Sequence, residues 1–328
     1  MAITTRLTQR LGIAHPVISA PMAFAAGGAL AAAVSNAGGL GLIGGGYGDS
    51  QWLEQQFRAA GNARIGCGFI TWSLAKQPHL LEAALAHRPT VVFLSFDDPT
   101  PFVAKIKAAG ALVIQQVQTL RDAAIAIDAG CDIIVAQGAE AGGHGEKRAT
   151  MTLVPEVADL IAKRSPETLL CAAGGIADGR GLAACLMLGA DGVVVGSRFW
   201  ASTEALVHAN VHAAAIAATG DDTIRQSVTD IARNFDWPAR YNIRIVRNPY
   251  VDEWLGREDA MRAAGETERA RYASGVAVGD AAISPAIIGE VAGLITAVEP
   301  AAEILARMVE LAEGLLGGGW RDNRSSRQ

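Results

Sequence analysis

The sequence predicts an α/β protein built as a (β/α)8 TIM barrel, with a smaller, mainly helical cap segment inserted before the final helix. Three observations predict this fold. Short apolar runs rich in Val, Ile and Leu recur eight times before residue 218, and each precedes a helical pattern. The runs do not alternate with polar residues, which is typical of parallel strands buried on both faces. Several helical patterns end at a glycine, a common helix C-cap.

The eight predicted strands follow one another, with a helix after each. In order they are PVISAPM (16–22), GLGLIGGG (39–46), RIGCGFI (64–70), TVVFLSF (90–96), ALVIQQV (111–117), CDIIVAQG (131–138), TLLCAAGG (168–175) and DGVVVGSRF (191–199). Eight consecutive units fit a closed barrel better than an open doubly wound sheet. A dinucleotide-binding sheet would also need a glycine-rich turn after its first strand. The sequence APMAFAAGG does not match that turn.

The pattern changes after residue 218. Residues 219–274 are more polar and more charged, and they carry Trp237 and Trp254. We expect this segment to form a cap or substrate domain. Residues 1–218 and 275–328 are expected to form the barrel, which ends with the amphipathic helix PAAEILARMVELAEGLL.

Composition excludes several classes of function. The net charge is −5 and no basic cluster is present, so binding to nucleic acid is not expected. No apolar run reaches the roughly 18 residues of a membrane span, and the first residues lack the apolar core of a signal peptide. Four cysteines without a C-x-x-C pair predict buried, reduced thiols in a cytoplasmic protein, with no metal site.

Glycines at two neighbouring strand ends predict a phosphate site. The active site of such a barrel lies at the C-terminal ends of its strands. The seventh strand ends at Gly174 and Gly175, and the eighth at Gly196 and Ser197. Glycines there let backbone N–H groups approach a phosphate, and an adjacent helix N-terminus favours its charge. The alternative is that these glycines only form tight turns.

Other strand ends suit a flat ring system. The first strand ends at Ala20, Pro21 and Met22, an uncharged and largely apolar surface. Gln116 lies near the end of the fifth strand, and Gln137 and Gly138 close the sixth. The two amides could supply hydrogen bonds to a buried cofactor or substrate.

One histidine stands out from the other five. His144 follows the sixth strand on a predicted loop, AQGAEAGGHGE, where a histidine can act as general acid or base. Its glycine neighbours would let a substrate come close. Glu140 and Glu146 are expected to orient it. The other five histidines occupy helix or loop positions typical of structural residues.

These motifs resemble those of the nitronate monooxygenases, formerly called 2-nitropropane dioxygenases. The resemblance rests on AQGAEAGGHGE, on AAGGIADGRGLAACLMLGADGVVVGSRF, and on HPVISAPM with VSNAGGLGLIGGG, and it spans about residues 8–205. It implies a barrel that binds FMN without a metal. Nitronates are then oxidised by O2 to a carbonyl compound and nitrite.

The resemblance also implies a role for each candidate residue. The FMN phosphate would lie at Gly174, Gly175, Gly196 and Ser197, and the ring near Ala20, Pro21, Met22 and Gln137. Gly138 is a further candidate for cofactor binding. His144 matches the family's catalytic histidine. Two positions that face the flavin depart from the pattern: Gly68 stands where some relatives have Asn, and Gln116 where some have Lys. Trp72 is a further candidate for the pocket wall.

Two other functions remain open from the sequence. Similar motifs occur in FMN-dependent NAD(P)H oxidoreductases that reduce quinones or enoyl thioesters, where His144 would donate a proton or orient the substrate. A non-catalytic binder of a phosphate-bearing ligand is the third class. The expected partners are a small-molecule nitronate and O2, without nucleic acid or membrane, and the sequence allows a homodimer.

Overall fold

The computed structural model describes residues 3–319 and contains a parallel barrel with an inserted segment. The strands are β1 Val17–Ser19, β2 Leu42–Gly44, β3 Gly66–Ile70, β4 Val91–Ser95, β5 Leu112–Val117, β6 Ile133–Gln137, β7 Gly143–Gly145, β8 Leu169–Ala173, β9 Gly192–Val195, β10 Thr223–Gln226 and β11 Asn242–Val246. The helices before the insertion are α1 Arg6–Leu11, α2 Gly28–Asn36, α3 Ser50–Ala60, α4 Thr71–Leu74, α5 His79–Ala86, α6 Thr100–Ala108, α7 Leu120–Asp128, α8 Thr150–Arg164, α9 Gly179–Met187, α10 Ser197–Trp200 and α11 Ala209–Ala217. They are followed by α12 Val228–Ala232, α13 Pro249–Trp254, α14 Glu258–Ala277 and α15 Ala301–Leu316, with 3-10 turns at Gly220–Asp222 and Glu290–Leu294.

The barrel contains all eight predicted strands. Its order is β1-β9-β8-β6-β5-β4-β3-β2, and every neighbouring pair is parallel. A parallel bridge between Ile18 and Leu40 joins the two ends of this order. The sheet is therefore closed, and the prediction of a (β/α)8 TIM barrel is confirmed.

Both faces of the strands are buried, which explains their unbroken apolar runs. On β4, Val91 and Phe93 belong to a cluster within the barrel, whereas Val92 and Leu94 pack with the surrounding helices. All four side chains are almost fully buried. Period-two alternation therefore separates two apolar environments instead of an apolar one from a polar one. The four cysteines are free and buried, as expected.

The segment inserted before α15 contains strands that the sequence analysis did not predict. Within it, β10 pairs with β11, and β11 pairs with β7, so the three form an antiparallel sheet. Helices α12, α13 and α14 pack beside this sheet, around Tyr250 and Trp254. The domain limits at residues 218/219 and 274/275 stay a prediction. Among the described helices, none is both long and apolar enough to cross a bilayer.

Candidate functional site

A cleft opens at the C-terminal ends of the barrel strands. It encloses about 1210 Å³ of space, its open mouth included. His144 lines this cleft. So do ten of the eleven predicted cofactor residues: Ala20, Pro21, Met22, Gly68, Gln116, Gln137, Gly174, Gly175, Gly196 and Ser197. The fold therefore gathers these side chains at one place, as expected for the loops of such a barrel.

Gly138, the eleventh predicted cofactor residue, lies beside the cleft instead of in its wall. A Cβ atom at this position would overlap the side chains of Thr150 and Glu140. Gly138 therefore faces the start of α8. Its role toward a cofactor stays a prediction.

The ends of β8 and β9 leave backbone N–H groups unpaired. Gly174 and Gly175 have φ values of 97° and 77°, which side chains other than glycine rarely adopt. Within residues 3–319, the N–H groups of Gly174, Gly175 and Gly196 have no hydrogen-bond acceptor. The Oγ of Ser197 accepts a hydrogen bond of 2.8 Å from Gly289 N–H, and its own proton stays available. This wall of the cleft thus offers several donors to an anion.

Three buried glutamines form a neutral network deeper in the barrel. Gln137 Oε1 accepts hydrogen bonds from Nε2 of Gln116 at 3.2 Å and of Gln118 at 2.9 Å. Because its oxygen is engaged twice, Gln137 keeps its amide nitrogen as a donor. Gln118 was not singled out from the sequence. The network offers polar atoms without formal charge at the position where some relatives have Lys.

The glycine at position 68 is explained by close packing against the end of β1. A Cβ atom there would overlap the ring of Pro21 and lie 3.3 Å from Cβ of Phe93. The Asn found in some relatives would therefore need a shift of Pro21 in this protein. Trp72 does not line the cleft, but it contacts Trp237 at 5.3 Å between ring centroids.

His144 lies on a strand, and the prediction that it lies on a loop is wrong. It is the middle residue of β7 and pairs with Ile243 of β11. The neighbouring glycines allow close packing: a Cβ atom on Gly142 would lie 2.6 Å from the backbone nitrogen of Gly289. The missing side chain of Gly142 therefore lets the start of β7 approach the segment around residue 289. Gly142 and Gly143 also line the cleft, and their role in admitting a substrate stays a prediction.

Asp230 of α12 holds the imidazole of His144. Nε2 of His144 lies 2.9 Å and 3.1 Å from the two carboxylate oxygens of Asp230. Both side chains are buried, with 7% and 5% of their surface exposed. Burial lowers the pKa of His144 below its ordinary value, and the hydrogen bond and charge of Asp230 oppose that lowering. His144 is therefore neutral at physiological pH.

The two glutamates expected to orient His144 have other partners. The carboxylate of Glu140 accepts hydrogen bonds from the backbone N–H and the hydroxyl of Thr150, at the start of α8. Glu146 pairs with Arg240 at 2.5 Å. Nearness in sequence therefore did not indicate the partner of His144.

Aromatic side chains cover the imidazole. We call Tyr47, Phe96, Phe235, Trp237 and Tyr241 the aromatic cover. Trp237 stacks on His144, and the edge of Phe96 lies against Trp237 with centroids 5.0 Å apart. Trp237 Nε1 donates to Tyr47 Oη at 3.1 Å, and Tyr47 stacks on Phe235 at 3.9 Å. Burial raises the pKa of Tyr47 to about 12, so its hydroxyl is neutral.

Besides Gln118 and the other rings of the aromatic cover, sequence reasoning missed three residues of this site: Asp230, Trp237 and Arg233, which lines the cleft. All three lie in the inserted segment, where the sequence is polar and charged. A signal existed only for Trp237, which stands with Phe235 in the short stretch NFDW of an otherwise polar region. Nothing in the sequence pattern separates Asp230 from the surface carboxylates around it.

Comparisons with known proteins agree with the fold. The nitronate monooxygenase of Neurospora crassa is 32% identical over 344 residues, which cover 90% of this chain and 89% of that protein. A (3aS,4S,5R,7aS)-5-hydroxy-7a-methyl-1-oxo-octahydro-1H-indene-4-carboxyl-CoA dehydrogenase of Rhodococcus jostii is 33% identical over 208 residues, 62% of this chain and 57% of that protein. The structure of FabK from Thermotoga maritima matches with a TM-score of 0.83 and 29% identity, over 98% of this chain and 99% of that one.

A family model described as nitronate monooxygenase matches residues 4–64 and 71–310. This match includes every barrel strand except β3, which lies in the gap between the two matched ranges, together with β7 with His144 and the inserted segment with Asp230. The chain therefore belongs to the nitronate monooxygenase family.

Proposed function

We propose that the protein is an FMN-dependent enzyme that oxidises alkyl nitronates with O2 to a carbonyl compound and nitrite. The observation that carries the proposal is a buried histidine, held by Asp230, in the same cleft as the unpaired N–H groups of the β8 and β9 ends. Membership of the family supports an oxidoreductase, and flavin is its characteristic cofactor. Membership of this enzyme family also argues against a non-catalytic binder of a phosphate-bearing ligand.

The residues of the cleft fit FMN. The phosphate would be held by the N–H groups of Gly174, Gly175 and Gly196 and by the hydroxyl of Ser197. The apolar end of β1, from Ala20 to Met22, suits a flat ring, and the Gln137 amide can donate to a polar ring edge. When bound, FMN supplies the electron transfer from the substrate to O2.

The protein's own groups handle the proton and the solvent. His144 Nε2 is engaged by Asp230, so Nδ1 is the nitrogen available to a substrate. From a neutral nitroalkane, Nδ1 would take the carbon-bound proton. After that transfer, the protonated His144 would donate a hydrogen bond to the nitronate anion that has formed. The aromatic cover limits access of water to the imidazole.

A spectroscopic experiment tests the proposal directly. An alkyl nitronate is added without oxygen to the FMN-loaded protein while the visible flavin spectrum is recorded. We expect the spectrum to change, and to recover on admission of oxygen with release of nitrite. A flavin spectrum that stays oxidised would contradict the proposal.

Replacement of His144 tests its part in turnover. His144→Ala should keep FMN but lose most activity toward neutral nitroalkanes, about 100-fold or more, because the proton acceptor is missing. The control is His79→Ala, since His79 is exposed at the start of α5. Equal rates in the two variants would remove His144 from the mechanism.

A charge placed at position 197 tests the phosphate site. Ser197→Asp should expel FMN, because a carboxylate would repel the phosphate. Ser197→Ala is the matched control, since it loses the same contact with Gly289 without adding charge. Flavin content is measured by absorbance after gel filtration, and full retention in Ser197→Asp would refute the assignment.

A second candidate is an FMN-dependent NAD(P)H oxidoreductase that reduces a quinone or an enoyl thioester. The observation in its favour is the similarity to a dehydrogenase whose name specifies a CoA thioester. In that case His144 would donate a proton or orient the substrate. Flavin reduction by NADH or NADPH, followed by reoxidation with a quinone or an enoyl thioester, would favour this candidate over the first.

A further inference from the structure

We propose that Asp230 is a positioning residue for His144, and that Arg233 balances its charge so that His144 rests neutral with Nδ1 free. The pair would act through the histidine and would not touch the reacting atoms. The chemical consequence rests on the proposed function, whereas the positioning itself can be tested separately.

The hydrogen-bond geometry fixes the tautomer. A carboxylate can only accept hydrogen bonds, and both oxygens of Asp230 lie within 3.1 Å of His144 Nε2. The proton of the neutral imidazole is therefore on Nε2. No atom of residues 3–319 forms a hydrogen bond with Nδ1, so its lone pair is available. Without Asp230, either nitrogen could carry the proton.

Arg233 offsets the charge of the same carboxylate. One of its terminal nitrogens lies 2.8 Å from Asp230 Oδ1, and its Nε donates to the carbonyl of Thr229 at 3.0 Å. The guanidinium also lies 5.0 Å from the ring centre of Phe235. These contacts hold Arg233 in place beside Asp230. An unbalanced carboxylate would favour a permanently protonated imidazole, which could not accept a proton.

The other groups around His144 do not override the balance between the charges of Asp230 and Arg233. Arg225 of β10 is the second cation that acts on it, and its guanidinium is bonded to the carbonyl oxygens of Ala139 and Asn242. The facing aromatic groups are Tyr47, Phe96, Trp237 and Tyr241, and burial raises the pKa of both tyrosines, which stay neutral. Burial is the main cause that lowers the pKa of His144, Asp230 opposes it, and Arg233 and Arg225 add to it.

Opposite effects of two substitutions distinguish this role from a structural ion pair. We measure kcat/KM against pH for nitroethane, a neutral substrate that must lose a proton. Asp230→Asn should move the acid limb to lower pH and reduce kcat/KM at least about tenfold, since the imidazolium loses its stabilising carboxylate. Arg233→Met should move the same limb to higher pH. Arg233→Lys, which keeps the charge, should restore the position of the limb toward that of the unmodified protein.

A second measurement does not depend on turnover. In protein labelled with ¹⁵N-histidine, the shifts of Nδ1 and Nε2 report the tautomer of His144, identified by its loss in His144→Gln. We expect protonation on Nε2 in the unmodified protein and a mixture in Asp230→Asn. Protonation on Nδ1 in the unmodified protein would overturn the proposal. So would acid limbs of kcat/KM that move in the same direction, or do not move, in Asp230→Asn and Arg233→Met.

The two measurements separate the possible failures. If neither nitroethane nor its nitronate is oxidised, the proposed function fails, but the NMR result still tests the positioning. If Asp230→Asn does not fold, Asp230→Glu keeps the carboxylate, and the tautomer of the unmodified protein decides the question alone.

Discussion

His144 and Trp237 lie face to face, with ring centroids 3.4 Å apart and planes 9° from parallel. Trp237 comes from the inserted segment, and His144 from the connection between two barrel strands. The indole therefore shields one face of the imidazole from water. Since desolvation disfavours the charged form of histidine, the inserted segment contributes to the electrostatics of the cleft as well as to its shape.

Removal of this indole should raise the pKa of His144. In Trp237→Ala, water would reach the imidazole, and its pKa should move toward the ordinary histidine value of about 6.5. Trp237→Phe is the control, because a smaller ring still covers that face. The titration is followed by NMR of the labelled histidine. An identical titration in Trp237→Ala and the unmodified protein would show that the stack does not control desolvation.

Activity toward neutral nitroalkanes should persist below the pH at which a free histidine protonates. Because burial lowers the pKa of His144, the acid limb of kcat/KM should lie below about pH 6.5.

The free energy of unfolding should also fall at low pH for the same reason. The unfolded chain takes up the proton first, so stability is lost as pH falls from about 6.5 toward the folded pKa of His144. Urea unfolding across this range should show a smaller loss in His144→Gln, and equal losses would contradict the assignment.

Gly174→Ala should weaken both the fold and flavin binding. Its φ of 97° is unfavourable for alanine, at a cost of about 1–2 kcal/mol. The new methyl would also lie 2.9 Å from the carbonyl oxygen of Gly138. The control is Gly314→Ala within α15, where nothing lies within 4 Å of a new Cβ. Stability is measured by urea unfolding and FMN by absorbance. Unchanged flavin content in Gly174→Ala would argue against the phosphate site.

A cation at position 116 should make the bound flavin easier to reduce. Gln116→Lys would place a positive charge in the neutral glutamine network, and a cation favours the anionic reduced ring. The midpoint potential should therefore rise. Gln116→Met separates the loss of the amide from the gain of charge. Potentials are measured by reduction with a reference dye, and a potential in Gln116→Lys at or below that of Gln116→Met would refute the effect.

The sequence predicted those parts of the structure that depend on local pattern. Strands such as β4 could be located because burial on both faces demands an unbroken apolar run. The partner of His144 could not be predicted, because Asp230 lies 86 positions away and no motif marks it. The short strand β7 was missed because three residues rich in glycine carry no strand pattern. The packing of Gly142 against Gly289 could not be predicted either, because only the fold brings these two segments together.

The pairing of β7 with β11 also sets an order of events during synthesis. The barrel strand β6 and β7 leave the ribosome long before Ile243, the residue that pairs with His144. Until then β7 has no strand to bind, because the described part of the chain gives it β11 as its sole partner. A nascent chain can thus assemble much of its barrel while the histidine is still unplaced. Competence for chemistry arrives only with the later segment, because His144 lacks both its strand partner and Asp230 until residues 230–243 have been made.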